Sequence, residues 1–193
     1  MRAAWQAEAV TWDAGQVVFL DETSTHTSLT RTCGRAPRGE RVVGRVPRNH
    51  GPNLSCLAAL GPTGITAPLV IEGAIDGTVF QPWLRDWLLP ALPAGTMIVC
   101  DNLSVHRNPD VRTLVEAAGC HLRYLPPYAP DFNPIELAFS KLKTHLRGAG
   151  RRTQAALLDA IGGGLGSVTA AEARAWYEHC GYRFPAADPV QPL

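Results

Sequence analysis

The chain has 193 residues, 46% of them hydrophobic, and a formal net charge of +1. That is enough apolar material for one well-buried core and short for two, so a single α/β domain is the first expectation. No run reaches the roughly 18 apolar residues of a membrane span, and the N-terminus has no apolar signal core, so a cytoplasmic protein is expected, with no membrane partner. Five cysteines (Cys33, Cys56, Cys100, Cys120, Cys180) are scattered, with no CxxC and no histidine at zinc spacing. This argues against a disulfide scaffold or a structural zinc and fits a reducing compartment.

In chain order, residues 1–15 form a lead-in, with Ala3, Ala4, Ala7 and Val10 on loosely helical spacing. Val17–Leu20 is a continuous apolar run that ends on Asp21, and a strand apolar on both sides belongs mid-sheet. Arg31, Arg35, Arg38, Arg41, Arg45 and Arg48 then fall within eighteen residues, interleaved with Gly and Pro. This stretch is expected to be an irregular basic β-hairpin inserted after the first strand and contacting DNA. Arginine suits bidentate phosphate contacts, although genomic base composition also enriches it. Asn53–Leu60 and Ile65–Glu72 are the next strands, joined by the turn Gly61-Pro62-Thr63-Gly64.

A helix is predicted from about Thr78 to Leu92 on a broad apolar stripe, stopped at Leu89-Pro90. Thr96–Cys100 is a buried strand ending on Asp101. A helix from Asn108-Pro109 to Ala118 follows, with Gly119 as its stop. His121–Leu125 is a strand, and the helix after Pro134 puts Ile135, Ala138, Phe139, Leu142 and Leu146 on one face. Thr153–Ile161 and Thr169–Cys180 are closing helices, and 183–193 is a flexible tail. The string β, β, β, α, β, α, β, α calls for a mixed central sheet flanked by helices, with residues 16–182 as the domain.

Three acids stand at the ends or starts of these elements: Asp21, Asp101 and Glu136. Each alone has an ordinary explanation, as a turn residue, a cap or a first-turn helix acid. If the two strands are sheet neighbours, Asp21 and Asp101 come together at the crevice of an α/β sheet, with Glu136 beside them. Three carboxylates so placed point to one site holding divalent metal. Glu22 is expected to turn away by strand alternation. Asn102 and His106 follow the second acid as auxiliary residues, with His106 either near phosphate or satisfied locally. Asn133 is expected to fix the turn before the helix as an Asx-type cap. Lys141 and Lys143 are phosphate-contact candidates or a solvated helix face.

The pieces Val18-Phe-Leu-Asp-Glu-Thr, Arg35-Ala-Pro-Arg-Gly-Glu, Val99-Cys-Asp-Asn-Leu-Ser-Val-His and Tyr124-Leu-Pro-Pro-Tyr-Ala-Pro-Asp-Phe-Asn-Pro-Ile-Glu-Leu-Ala-Phe-Ser-Lys-Leu-Lys carry a resemblance. They resemble the catalytic domain of bacterial insertion-sequence transposases related to the mariner-type elements, the DDE superfamily endonucleases. Thirty-four residues separate Asp101 from Glu136, an interval similar to that family's. The resemblance implies a ribonuclease-H-like fold with Asp21, Asp101 and Glu136 as the metal-binding triad for two Mg²⁺ (or Mn²⁺) ions. It further implies double-stranded DNA as substrate, at element ends and target, cut and joined by a homodimer. Phe139 stands where many relatives have tryptophan. Family members carry helix-turn-helix modules ahead of this domain, whereas sixteen residues precede the first strand here. The chain thus resembles the second half of a split element, completed by an upstream helix-turn-helix protein or fused frame, or a truncated remnant. The alternatives are an inactive or domesticated DNA-binding module and a ribonuclease-H-like nuclease.

Overall fold

The computed structural model describes residues 1–185. Its centre is a mixed sheet of five strands in the order β3-β2-β1-β4-β5. β1 (Val17–Thr25), β2 (Leu54–Gly61) and β3 (Gly64–Glu72) form an antiparallel meander. β4 (Met97–Cys100) and β5 (His121–Tyr124) add in parallel on the other side of β1. All of β2 and the first five residues of β1 are buried, because helices cover both faces of the sheet.

One face carries α1 (Arg2–Ala9), α4 (Ile135–Ala149), α5 (Gln154–Gly166) and α6 (Ala170–His179), packed on Val17, Phe19, Cys56 and Leu60. The other carries α2 (Gly77–Trp83) and α3 (Pro109–Ala117), packed on Val18, Leu20, Leu57 and Ile98. The apolar face of α4 is the one its periodicity predicts, with Ile135, Ala138, Phe139, Leu142 and Leu146 all buried. α5 approaches α4 so closely at Gly164 that an added Cβ would sit 2.6 Å from Leu142 Cδ1. Glycine is what permits that contact.

Several expectations change. Residues 31–48 contain no strand, so the predicted basic β-hairpin is instead an irregular excursion between β1 and β2. Pro37 and Pro47 lack amide donors, and the glycines between them add backbone freedom, so no ladder forms. β1 does not stop at Leu20 but runs to Thr25, which makes Asp21 a mid-strand residue. The helix predicted over 78–92 is three helical forms in succession. α2 gives way to a π-helical turn at Leu84–Leu88 and a 3-10 turn at Leu89–Ala91. Pro82 lies inside α2 and lacks the N–H that would close its turn.

The lead-in is not free of the domain. Trp5 is buried, and its indole N–H donates to Tyr182 Oη, whose hydroxyl in turn donates to Phe132 O at 2.7 Å. The start of the predicted flexible tail also packs. Ala14 N–H donates to Arg183 O, and the Arg174 guanidinium lies 4.0 Å over the Phe184 ring. The rest of that tail, 186–193, lies outside the described residues.

Candidate active site

The register of the parallel pair β1/β4 decides where the acids lie. Phe19 is level with Val99, the last pair of that ladder, and two residues further on come Asp21, still in β1, and Asp101, the first residue after β4. By alternation both point to the face that Phe19 and Val99 share, which is the α4 side. α4 buries its apolar stripe against that face and leaves Glu136, in its first turn, exposed. All three carboxylates line one cavity of about 480 Å³, walled by Leu103, Leu125 and the turn 126–130. The wall is stiff, with prolines at 126, 127 and 130 and a left-handed Tyr128 (φ 55°) that is fully exposed.

Asp21 is the buried acid, 8% exposed. Its Oδ1 accepts from Glu22 N–H and its Oδ2 from Asn133 Nδ2, both at 2.8 Å. Neither partner is a cation. Burial pushes the Asp21 carboxyl up to about 7; the Glu22 amide pulls the other way, and the negative charges of Asp101, Glu136 and Glu22 add to the rise.

Asp101 is half-buried and differently served. Its Oδ1 accepts from Leu103 N–H at 2.9 Å and from His106 Nδ1 at 2.7 Å. Burial alone would raise this carboxyl, but those two hydrogen bonds hold it below its ordinary value. His106 is fully buried against the Phe80 ring, and its other nitrogen, Nε2, donates to Glu22 Oε1 at 3.0 Å. Desolvation pulls the imidazole down, yet the flanking Asp101 and Glu22 oxygens raise it to about 9. Both ring nitrogens are thus committed to carboxylate oxygens, and His106 does not line the cavity. Glu22 does turn to the opposite face, as alternation predicts, but it rejoins the site through His106.

The remaining predicted residues are placed as follows. Asn102 donates from Nδ2 to Leu125 O, tying the ends of β4 and β5. Asn133 is not the expected cap, because the residue before α4 is Pro134 and no side chain caps that helix. It is buried against Asp21 instead, with its own Oδ1 lacking a partner as oriented. Lys141 donates to both Glu172 oxygens and to Ser167 O, so its ammonium is held inside the α4–α6 contact. Lys143 is half-buried. All six arginines of 31–48 are exposed, and none makes an ion pair among the described residues. Arg31 and Arg35 line a second concavity with Arg147, in the last turn of α4.

Among the described residues, no three histidine, cysteine, aspartate or glutamate side chains lie close enough together to hold a metal ion. The acids share a cavity, but each strand acid is held by a protein partner rather than drawn into one ligand set. The chemistry of the donors still suits a divalent cation. A buried carboxylate with only neutral partners, beside two further acids, is a set of negative charges whose desolvation a bound cation would offset. Sequence reading missed the Asn133–Asp21 and Glu22–His106 contacts, which join residues 112 and 84 positions apart. No local periodicity reports such pairs.

A mixed parallel and antiparallel sheet flanked by helices is consistent with a ribonuclease-H-like fold. The profile of the DDE superfamily endonucleases matches residues 16–157, and the chain belongs to that superfamily. Among solved structures, the Mos1 transposase paired-end complex with left transposon end matches with a TM-score of 0.74 at 14% identity, covering 93% of this chain and 55% of that one. The Mos1 strand transfer complex matches at 0.71 and 14% identity, covering 87% and 52%. The Mos1 catalytic domain with raltegravir and Mg matches at 0.67 and 11% identity, covering 93% and 83%. At such identities the likeness is one of fold, and the chain spans about half the length of the full transposase chains it matches. No curated protein sequence matches. No helix among the described residues is long and apolar enough to cross a membrane.

Proposed function

We propose that this chain is the catalytic domain of an insertion-sequence transposase, cutting and joining DNA phosphodiesters at the Asp21–Asp101–Glu136 site. The observation that carries the reading is that Asp21 on β1, Asp101 just past the end of β4 and Glu136 in the first turn of α4 line one cavity. Asp21, Asp101 and Glu136 would hold Mg²⁺ or Mn²⁺, two ions being expected, and bound metal would supply charge to polarise a phosphodiester and lower the pKa of water.

The chain's own groups prepare that chemistry. Asn133 fixes Asp21 at the cavity floor, and His106 with Leu103 N–H takes Asp101 Oδ1, which leaves Oδ2 as the oxygen free to face the cavity. Glu136 is the mobile member, since it is exposed and its side chain makes no hydrogen bond among the described residues. The stiff wall at 126–130 narrows access from one side. Glu136 and Arg147 are eleven residues apart on α4, roughly 16 Å at 1.5 Å per residue. A duplex lying along α4 would place its cut strand at the acids and its backbone over Arg147, Arg31 and Arg35. The two nucleophiles of such a reaction, water and a freed 3′-hydroxyl, enter the same cavity in turn, and no covalent protein intermediate is required. Recognition of element ends is assigned to a helix-turn-helix part supplied by an upstream protein or fused frame, acting with a dimer on DNA.

Glu136→Gln tests the reading, because it keeps size and removes one negative charge from a side chain with no structural bond. The thermal midpoint and DNA affinity should stay at wild-type values, while Mn²⁺-dependent nicking of duplex DNA falls by orders of magnitude. Nicking at the wild-type rate would reduce Glu136 to a first-turn helix acid. Faster cutting of an RNA–DNA hybrid than of duplex would favour the ribonuclease-H-like nuclease instead.

A further inference from the structure

Resting on the metal-site reading above, we infer that Glu22 is a positioning residue which, through the buried ring of His106, fixes the Asp101 carboxylate so that a single oxygen faces the cavity. The path is short and closed. Glu22 Oε1 accepts from His106 Nε2 at 3.0 Å, and His106 Nδ1 donates to Asp101 Oδ1 at 2.7 Å. The ring is fully buried, with Phe80 packed 4.7 Å from it centre to centre. The backbone carbonyl of His106 accepts from Tyr124 Oη at 2.9 Å, which pins the residue to β5 as well. Each nitrogen of this enclosed ring faces a carboxylate oxygen, and the two contacts together fix its orientation.

The strand order explains why the adjacent residue does this work. Asp21 and Glu22 are neighbours on β1, so they point to opposite faces of the sheet. Asp21 reaches the cavity directly. Glu22 lies on the α2–α3 side, where residues 101–108 return past the sheet, and it meets His106 there. One dipeptide thus serves both strand acids, one as itself and the other through a ring. Without Glu22 Oε1, a fully buried N–H would have no acceptor, a loss that buried donors do not tolerate. A ring released to seek another acceptor would leave Asp101 with Leu103 N–H, which sets no rotamer by itself. Partners standing behind a metal-binding carboxylate in this way typically change metal affinity by roughly 10–100-fold when lost.

Two substitutions separate reach from charge. Glu22→Gln keeps an oxygen at the same distance and removes the charge; Glu22→Asp keeps the charge and withdraws the oxygen by about one methylene. The 193-residue protein is titrated with Mn²⁺ alone by calorimetry, alongside thermal unfolding. Positioning predicts that Gln rescues, with Mn²⁺ affinity close to wild type, while Asp loses roughly 10-fold or more. The reverse order, Asp retaining and Gln losing, would mean that Glu22 acts by charge and would overturn the proposal. So would wild-type affinity in Glu22→Asp at an unchanged thermal midpoint. Wild-type protein that holds no Mn²⁺ overturns the carboxylate site itself, whereas wild-type binding with an indifferent Glu22→Asp overturns only the positioning role.

Discussion

Replacing Asp21 by Asn should make the metal-free protein more stable while disabling its site. Asp21 is buried, its partners are neutral, and its carboxyl is pushed from an ordinary 3.8 up to about 7. A group whose folded pKa is raised contributes stability fully present below its unfolded value, and that contribution is lost as pH climbs through the folded value. Here the window runs from about pH 4 to about pH 7, and at 1.36 kcal/mol per pH unit the loss amounts to about 4 kcal/mol. Asn at position 21 never ionises, so the variant escapes this loss. It can also be bonded in place. The side-chain oxygen still accepts from Glu22 N–H, and an amide flip of Asn133 would turn its unpartnered Oδ1 toward the new Nδ2. The assay is urea unfolding of both proteins at pH 5, 7 and 9 with a chelator present. Asp21→Asn should gain on wild type by a few kcal/mol at pH 9 and much less at pH 5. Added Mn²⁺ should then stabilise wild type and not the variant, by mass action on the folded state. A variant less stable than wild type at every pH would show that the Asp21 carboxylate is well compensated in the fold, and the reasoning would fail.

The basic excursion and the α4–α5 contact give two further tests. Replacing Arg35, Arg38 and Arg41 by Ala should leave the thermal midpoint unchanged, since all three are exposed, and should flatten the log–log salt dependence of DNA affinity by up to roughly 3 units; an unchanged slope would make them a solvated surface. Gly164→Ala should destabilise by about 1–3 kcal/mol because its Cβ would meet Leu142 Cδ1. Gly162→Ala, with nothing within 4 Å of the new Cβ, should stabilise by about 0.5–1 kcal/mol. Equal midpoints in denaturant for the two glycine variants would contradict the close helix contact.

What could be read from the sequence was what short-range pattern encodes. The apolar run 17–20, the buried strand at 97–100 and the heptad-like stripe of α4 each announce themselves within a dozen residues. The three acids were visible because each terminates or begins such a pattern. The excursion at 31–48 has the turn residues of a hairpin but no strand on either side of them to supply a ladder partner. The run of α, π and 3-10 turns at 77–91 was misread because an apolar stripe does not report winding. Asn133 looked like a cap from its place before a helix, yet a contact with Asp21, 112 positions away, decides its role. Alternation correctly turns Glu22 away from Asp21, but only the fold brings His106, 84 positions away, to meet it on the other face.

The pairing of β1 with β4 also has a kinetic meaning. β1 meets β2 after an excursion of about thirty residues, and β2 meets β3 across a two-residue turn, so the meander can form early and locally. Phe19 and Val99 stand 80 positions apart, so the parallel half of the sheet requires a far longer loop to close. The acid site straddles that seam. On loop length alone, Asp21 is expected to be placed before Asp101, and docking of β4 onto β1 would then drive two carboxylates toward each other. Divalent cations, by screening that approach, should accelerate stopped-flow refolding more than they slow unfolding, and a change confined to the unfolding rate would refute this order.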